Sequence, residues 1–198
     1  MLNEGVRLFA ADLIHYMTKR LPRSKPTWTD VKAKLAGFDR IGLMGLIQDL
    51  YAAQKDNRTF LHTRFGLGED VLKPYKETLD RWLSPDVLRN QDISVAKAKK
   101  AVSDYRKAVG EPAGLAELMV LYCENAVAFS NDVGYQDGDY FNAVLQMFEQ
   151  ALKLTRQLSS RDSDALIVRL NRVRTSSQNL GFGLTAELDS LLADYIQT

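Results

Sequence analysis

The stretch that decides the fold is residues 114–158, GLAELMVLYCENAVAFSNDVGYQDGDYFNAVLQMFEQALKLTRQL. It predicts two long helices, at about 114–133 and 139–158, joined by a short acidic turn that contains glycine. Both predicted helices are apolar on more than one side, and a helix of that kind has to be buried among other helices. We therefore expect this pair to form the centre of a helical domain, with the rest of the chain packed around it.

The segments on either side of this pair carry apolar residues at the three- and four-residue spacing of amphipathic helices. The first of these segments predicts an N-terminal helix and linker over residues 1–26. No stretch alternates with the two-residue period of a strand. The sequence therefore predicts an all-α fold, a single domain over residues 1–198 with about eight or nine packed helices, arranged as helical hairpins around the central pair.

Residues that favour helix starts divide the chain into these segments. The predicted starts are Thr27 or Thr29, Asp39, Ser94, Pro112, Asp139, about Ser163, and Thr185. The helix after Asp39 is expected to bury an inner face, which consists of Leu43, Leu46, Ile47, Leu50 and Tyr51. The segment Gly181–Gly183 predicts a tight turn between helices, with Phe182 inserted into the core.

The composition is that of a folded globular protein rather than of a disordered chain, with 45% apolar and 26% charged residues. The formal net charge of +1 gives no overall field that commits the chain to nucleic acid or to an anionic membrane. The N-terminal residues lack the basic leader of a signal peptide, and no run of about 18 apolar residues occurs. The expected location is therefore the cytoplasm, and no membrane partner is expected.

The residues that bind metals are few. Cys123 is the only cysteine, which excludes an internal disulfide, and His15 and His62 are the only histidines. A zinc site built from Cys and His ligands is therefore not expected. The turn at residues 131–139 fails as a calcium loop, because aligning Gly138 with the required glycine places a valine where the bidentate Glu belongs. We predict no metal, no cofactor and no catalytic residue.

Four blocks of sequence form a pattern: LIQDLY at Leu46–Tyr51, AKAKKAVSDY at Ala96–Tyr105, several residues within Glu117–Leu152, and GFG at Gly181–Gly183. In order and spacing, this pattern resembles a family of small, uncharacterised bacterial helical proteins that is catalogued as a domain of unknown function. The resemblance begins at about Phe38 and leaves the residues before it outside. It implies an all-helical bacterial protein, and it carries no activity and no catalytic residues.

A line of polar residues on the central pair is the first candidate site. Glu117, Glu124 and Asn131 recur every seven residues, so they share one side of the first helix. Facing carboxylates on antiparallel helices can hold two metal ions, but such centres also need Glu-x-x-His pairs, and neither histidine follows a Glu in that way. We favour a polar network that fixes helix register, with a polar ligand groove as the alternative. The candidate residues are Glu117, Tyr122, Glu124, Asn131, Asn142 and Glu149.

Basic residues form the second candidate site. They fall into three groups, at residues 19–25, 97–107 and 169–174, and their convergence would create a surface for the phosphates of a nucleic acid. Acidic residues lie within or just before the second and third groups, which favours ordinary solvated helix faces instead. The residues predicted to contact an anion or a nucleic acid are Lys97, Lys100, Arg169 and Arg172.

Three classes of function stay open from the sequence alone. The preferred class is a non-catalytic helical module for protein–protein interaction or scaffolding, with an unidentified protein partner or self-association. The alternatives are a nucleic-acid-associated protein that uses its basic helix faces, and an enzyme whose site the sequence does not reveal. A large exposed apolar surface favours the first class, and basic groups on one face favour the second. A deep pocket that contains Glu124 with Tyr122 or His62 favours the third.

Overall fold

The computed structural model describes residues 25–197, so the predicted N-terminal helix lies outside the described residues. The regular structure in this part of the chain consists of α1 (Trp28–Leu35), α2 (Arg40–Ala53), α3 (Lys55–Arg64), α4 (Lys73–Leu83), a 3-10 turn (Val87–Arg89), α5 (Val95–Ala108), α6 (Pro112–Val133), α7 (Gly138–Thr155), α8 (Ser160–Ser176) and α9 (Leu184–Gln197). The predicted all-α class is confirmed over this range. None of these helices is both long and apolar enough to cross a membrane.

The chain divides into two compact units, residues 1–49 and 50–198, and the prediction of a single domain stays a prediction. In the first unit, the amide and hydroxyl of Thr27 donate to the Asp30 carboxylate, at 2.7 and 2.8 Å, at the start of α1. The Asp39 carboxylate accepts a hydrogen bond of 2.7 Å from the Gly42 amide at the start of α2. At α1 the Asp30 carboxylate therefore satisfies the amide of the capping residue Thr27, and at α2 Asp39 satisfies an amide of the first turn; both helices begin at predicted positions.

The expected burial of α2 is wrong. No residue of α2 is buried, although most of its side chains are apolar. Of the predicted inner face, Leu43, Ile47 and Leu50 are 37%, 44% and 51% exposed. The spacing correctly indicates a helix, but spacing alone does not say that the chain itself covers the apolar side chains.

In the second unit, α6 and α7 form the predicted central hairpin. Helix α6 has buried residues on every side, because α4, α5, α7 and α8 all pack against it. Glu111 caps its first turn through two hydrogen bonds to backbone amides, and Pro112 is its first residue. The burial expected from the apolar character of this pair is confirmed.

The ends of the later helices differ from the predicted ones by a few residues. Asp137, rather than Asp139, caps α7, and its carboxylate accepts a 2.7 Å hydrogen bond from the Tyr140 amide. Ser159 caps α8, which begins three residues before the predicted Ser163. Several short polar residues lie near each of these starts, and any of them can satisfy the first amides.

The turn before α9 also differs from its prediction. Thr185 is not the cap of α9, because it lies inside the helix and donates its hydroxyl proton to the Ser177 carbonyl at 2.8 Å. Phe182 is not inserted into the core but is 68% exposed, with φ +58° and its ring edge-on to Phe141. The left-handed backbone at Phe182 and Gly183 makes the turn tight and directs the phenyl ring along the surface.

Candidate functional site

The predicted polar line on α6 faces α8. Glu124 accepts two hydrogen bonds from the Arg169 guanidinium, at 2.8 Å from Nε and 2.7 Å from Nη2. Glu117 accepts a third from Nη1 of the same side chain and lies 3.6 Å from Lys76 Nζ of α4. Asn131, one heptad further on, donates from Nδ2 to the Ser176 carbonyl at 2.9 Å.

This seam between α6 and α8 is a structural contact rather than an open anion site. A guanidinium that makes paired hydrogen bonds to a carboxylate has a narrowly defined position, so a shift of α8 along α6 would break several bonds at once. The hydrogen bonds from Arg169 to Glu124 and then to Glu117 raise the pKa of the guanidinium above its ordinary value. Arg169 was predicted to contact an external anion, but two carboxylates of its own chain already occupy its donors.

The other three residues of the predicted polar groove lie elsewhere. Tyr122 is fully buried, and its hydroxyl has no hydrogen-bond partner among residues 25–197. Glu149 pairs with Lys153 one turn along α7, at 2.5 Å, and Asn142 is exposed on the same helix. The six predicted residues therefore do not line one common groove.

Of the three predicted basic groups, the one at residues 19–25 lies outside the described residues except for Lys25, and the other two are on different helices, α5 and α8. Helix α5 packs mainly against α3, α4 and α6, whereas α8 packs mainly against α6, α7 and α9. On α5 itself, Lys99 donates to Gln146 and Arg106 donates to Gln150, both on α7, while Lys97 and Lys100 lie on another side. Arg172 is exposed on α8. The residues predicted to form one anion surface thus have different neighbours.

Lys97 and Lys100 line a groove between α3, α4 and α5, which we call the basic groove. It is open to solvent and has a volume of about 680 Å³. Five cationic and three anionic side chains line it, together with the aromatic side chains of Phe60, Tyr75 and Trp82. The cations are Lys55, Arg81, Lys97, Lys100 and Lys107, and the anions are Asp56, Glu77 and Asp104.

Two of the three carboxylates in the basic groove form ion pairs with one lysine, Lys100. Lys100 Nζ lies 2.5 Å from Asp104 and 3.1 Å from Asp56, and these hydrogen bonds raise the pKa of Lys100. Among residues 25–197, no carboxylate lies within salt-bridge distance of Lys55, Arg81, Lys97 or Lys107, and Arg81 donates a 3.3 Å hydrogen bond to the backbone carbonyl of Asp92. The groove therefore has a local surplus of positive charge, although the whole chain is nearly neutral.

Trp82 positions two of these cations. Lys97 Nζ lies 3.7 Å from the centroid of the indole ring, and Arg81 Cζ lies 4.3 Å from it. The indole itself packs against the hydrophobic core, so it is a fixed platform for two otherwise flexible side chains. No sequence signal pairs Trp82 of α4 with Lys97, which lies on a different helix.

The side chains with catalytic or metal-binding chemistry do not converge. Among the described residues, no three His, Cys, Asp or Glu side chains come close enough to hold a metal ion. Burial raises the pKa of the Cys123 thiol, which keeps it protonated and inert. His62 shares a 2.9 Å hydrogen bond between Nε2 and the Tyr51 hydroxyl, at an exposed position. Glu124 is bound to Arg169, and Tyr122 is buried, so neither is placed to act on a substrate.

Comparison with family models, with curated proteins and with solved structures found no match to this chain. The resemblance to the bacterial helical family therefore stays a prediction. The arguments about function below rest on the side chains of this chain alone.

Proposed function

We propose that this chain is a non-catalytic protein-interaction module, located in the cytoplasm, and that helix α2 is its docking element. The observation that carries the proposal is the exposure of α2, a 14-residue helix in which nothing is buried. Ile41 is 81% exposed and Met44 is 59% exposed. Exposed apolar surface of this extent is characteristic of protein-binding sites.

The pattern of α2 supports a helical mode of docking. Leu43, Leu46 and Ile47 belong to a stripe with i, i+3, i+4 spacing, which is the pattern by which amphipathic helices enter an apolar groove of a partner. Arg40 and Asp49 are the only charged residues of the helix, so charge pairing contributes little to this contact. The partner surface that fits α2 is therefore an apolar groove, supplied by another protein or by a second copy of this chain.

The test is affinity capture from native lysate, with and without nuclease, together with light scattering on the purified protein. Ile47→Lys places a charge in the stripe, and Leu88→Lys is the matched control, because Leu88 is 92% exposed in the 3-10 turn. We expect a complex of fixed stoichiometry that survives nuclease. We expect Ile47→Lys to weaken it by about tenfold or more and Leu88→Lys to leave it intact.

Equal binding by the two variants would contradict the proposal, as would a monomeric protein that captures nothing. Loss of the captured material on nuclease treatment would instead support the alternative, a nucleic-acid-associated protein. Light scattering distinguishes self-association from binding of a second protein, because only self-association raises the particle mass measured for the purified protein above that of one chain. Circular dichroism of both variants, compared with the wild type, establishes that the helices are intact.

A further inference from the structure

The basic groove provides a second site that is independent of the docking role of α2. Its volume of about 680 Å³ lies within the range of small-molecule sites, roughly 300 to 1,000 Å³. Its lining combines aromatic side chains with four cations that have no salt-bridge partner among residues 25–197. A ligand that complements both features has an apolar body and more than one negative charge.

The cations beside Trp82 indicate which anionic group of the ligand fits the groove best. Lys97 Nζ lies 3.7 Å and Arg81 Cζ lies 4.3 Å from the centroid of the Trp82 ring, so the ring fixes the positions of two positive charges that line the groove. An anion that reaches more than one cation of the groove is attracted by each of them. A carboxylate carries a single charge, whereas a phosphate monoester carries nearly two and presents three acceptor oxygens. A phosphate group is therefore the better match to a groove in which five cations face three anions.

The fixed indole also lowers the entropic cost of binding. Lysine and arginine side chains lose much of their rotamer freedom when they bind a ligand. Contact with Trp82 already restricts Lys97 and Arg81 in the free protein, so less freedom remains to be lost on binding. Phe60, which is 37% exposed, offers apolar surface in the same groove for the rest of the ligand.

We propose that the basic groove binds a small organic phosphate of nucleotide size, with its phosphate at Lys97 and its apolar body against Phe60. Arg81, Lys55 and Lys107 also line the groove and supply further positive charge. Lys100 pairs with Asp56 and Asp104 and offsets one of their two negative charges, and with Glu77 included the groove still contains five cations against three anions.

The experiment uses ADP as the probe, without added metal, and follows the fluorescence of Trp82. The chain contains two tryptophans, and Trp28 is 68% exposed on α1, so Trp28→Phe leaves Trp82 as the only emitter. Pyrophosphate tests whether the anionic part of ADP binds by itself, and adenosine tests the same for the uncharged part. Isothermal titration calorimetry on the full chain measures affinity and stoichiometry independently of the optical signal.

The variant is Lys97→Gln, and its matched control is Lys99→Gln, two residues along the same helix. Lys99 donates to Gln146 of α7 and does not line the groove, so the two variants remove the same charge at different sites. We expect one saturable site for ADP, weaker binding of pyrophosphate and no binding of adenosine. We expect Lys97→Gln to weaken ADP binding by about threefold to tenfold and Lys99→Gln to leave it unchanged.

Equal weakening in the two variants would overturn the proposal, because it would indicate a response to net charge rather than to this groove. The absence of any response of Trp82 to ADP and pyrophosphate at millimolar concentration would also overturn it. A single-stranded oligonucleotide completes the set of probes. If the oligonucleotide binds with strong salt dependence while ADP does not, the groove is a nucleic-acid surface and not a small-molecule site.

Discussion

Helices α2 and α6 are about equally apolar in sequence, yet the structure exposes one and buries the other. Helix α6 has twelve buried residues among its 22, and α2 has none among its 14. Four helices of the same unit cover α6, whereas the apolar side chains of α2 face solvent. An apolar sequence predicts that a helix is covered by other apolar surface, but it does not say whether the same chain or a partner provides that surface. The docking role proposed for α2 is based on this difference.

The prediction with the largest expected effect on stability makes the same substitution, leucine to alanine, in both helices. Leu118 of α6 is fully buried and Leu50 of α2 is 51% exposed. We expect Leu118→Ala to lower the free energy of unfolding by about 2 to 5 kcal/mol, because it removes buried methyl groups and leaves a cavity. Leu50→Ala should change it by no more than about 0.5 kcal/mol. Urea unfolding followed by circular dichroism measures both, and similar losses in the two variants would show that α2 is covered in the free chain.

A second test uses glycine, which is present in both helices. A Cβ at Gly114 of α6 would lie 2.6 Å from Cζ of Tyr105, whose ring is buried and edge-on to Tyr75. A Cβ at Gly45 of α2 meets nothing within 4 Å. The Tyr105 side chain of α5 therefore occupies the space that a side chain at Gly114 would need.

Alanine at these two glycines should have opposite effects. We expect Gly114→Ala to destabilise the fold by about 1 to 3 kcal/mol, since Tyr105 would have to move within a packed core. Gly45→Ala should leave stability unchanged or raise it by up to about 1 kcal/mol, because alanine is the better helix former. Thermal unfolding of both variants measures the difference. A stable Gly114→Ala protein would mean that Tyr105 has room to move.

Sequence reasoning predicted the parts of the fold that depend on local pattern. The central hairpin, the caps at Asp39 and Ser94 and the opening of α6 at Pro112 follow from spacing and from the first-turn amides. The exposure of Phe182 could not be predicted in that way. It depends on the left-handed backbone at that residue, which the sequence GFG permits but does not require.

The candidate sites, like the fold, could be predicted from the sequence only where they depend on local pattern. The heptad spacing of Glu117 and Glu124 correctly placed them on one side of α6, but their partner Arg169 is about 50 residues away, and the sequence suggested an external anion for it instead. Lys97 was predicted to contact an anion, and that stays a prediction, whereas its contact with Trp82 joins two different helices and has no signal in the sequence. Local periodicity gives the face on which a side chain lies, and only tertiary packing gives what lies opposite.

The smallest predicted effect concerns two buried hydroxyl groups of the central hairpin. Tyr140 of α7 donates its hydroxyl proton to the Leu83 carbonyl at 2.7 Å, whereas the Tyr122 hydroxyl of α6 has no partner among the described residues. Tyr140→Phe should lower stability by about 1 to 2 kcal/mol, because it leaves a buried carbonyl without its donor. Tyr122→Phe removes only a desolvated hydroxyl, so stability should stay the same or rise by up to about 1 kcal/mol. Equilibrium unfolding distinguishes the two, and a loss of stability in Tyr122→Phe would show that its hydroxyl is hydrogen-bonded in solution.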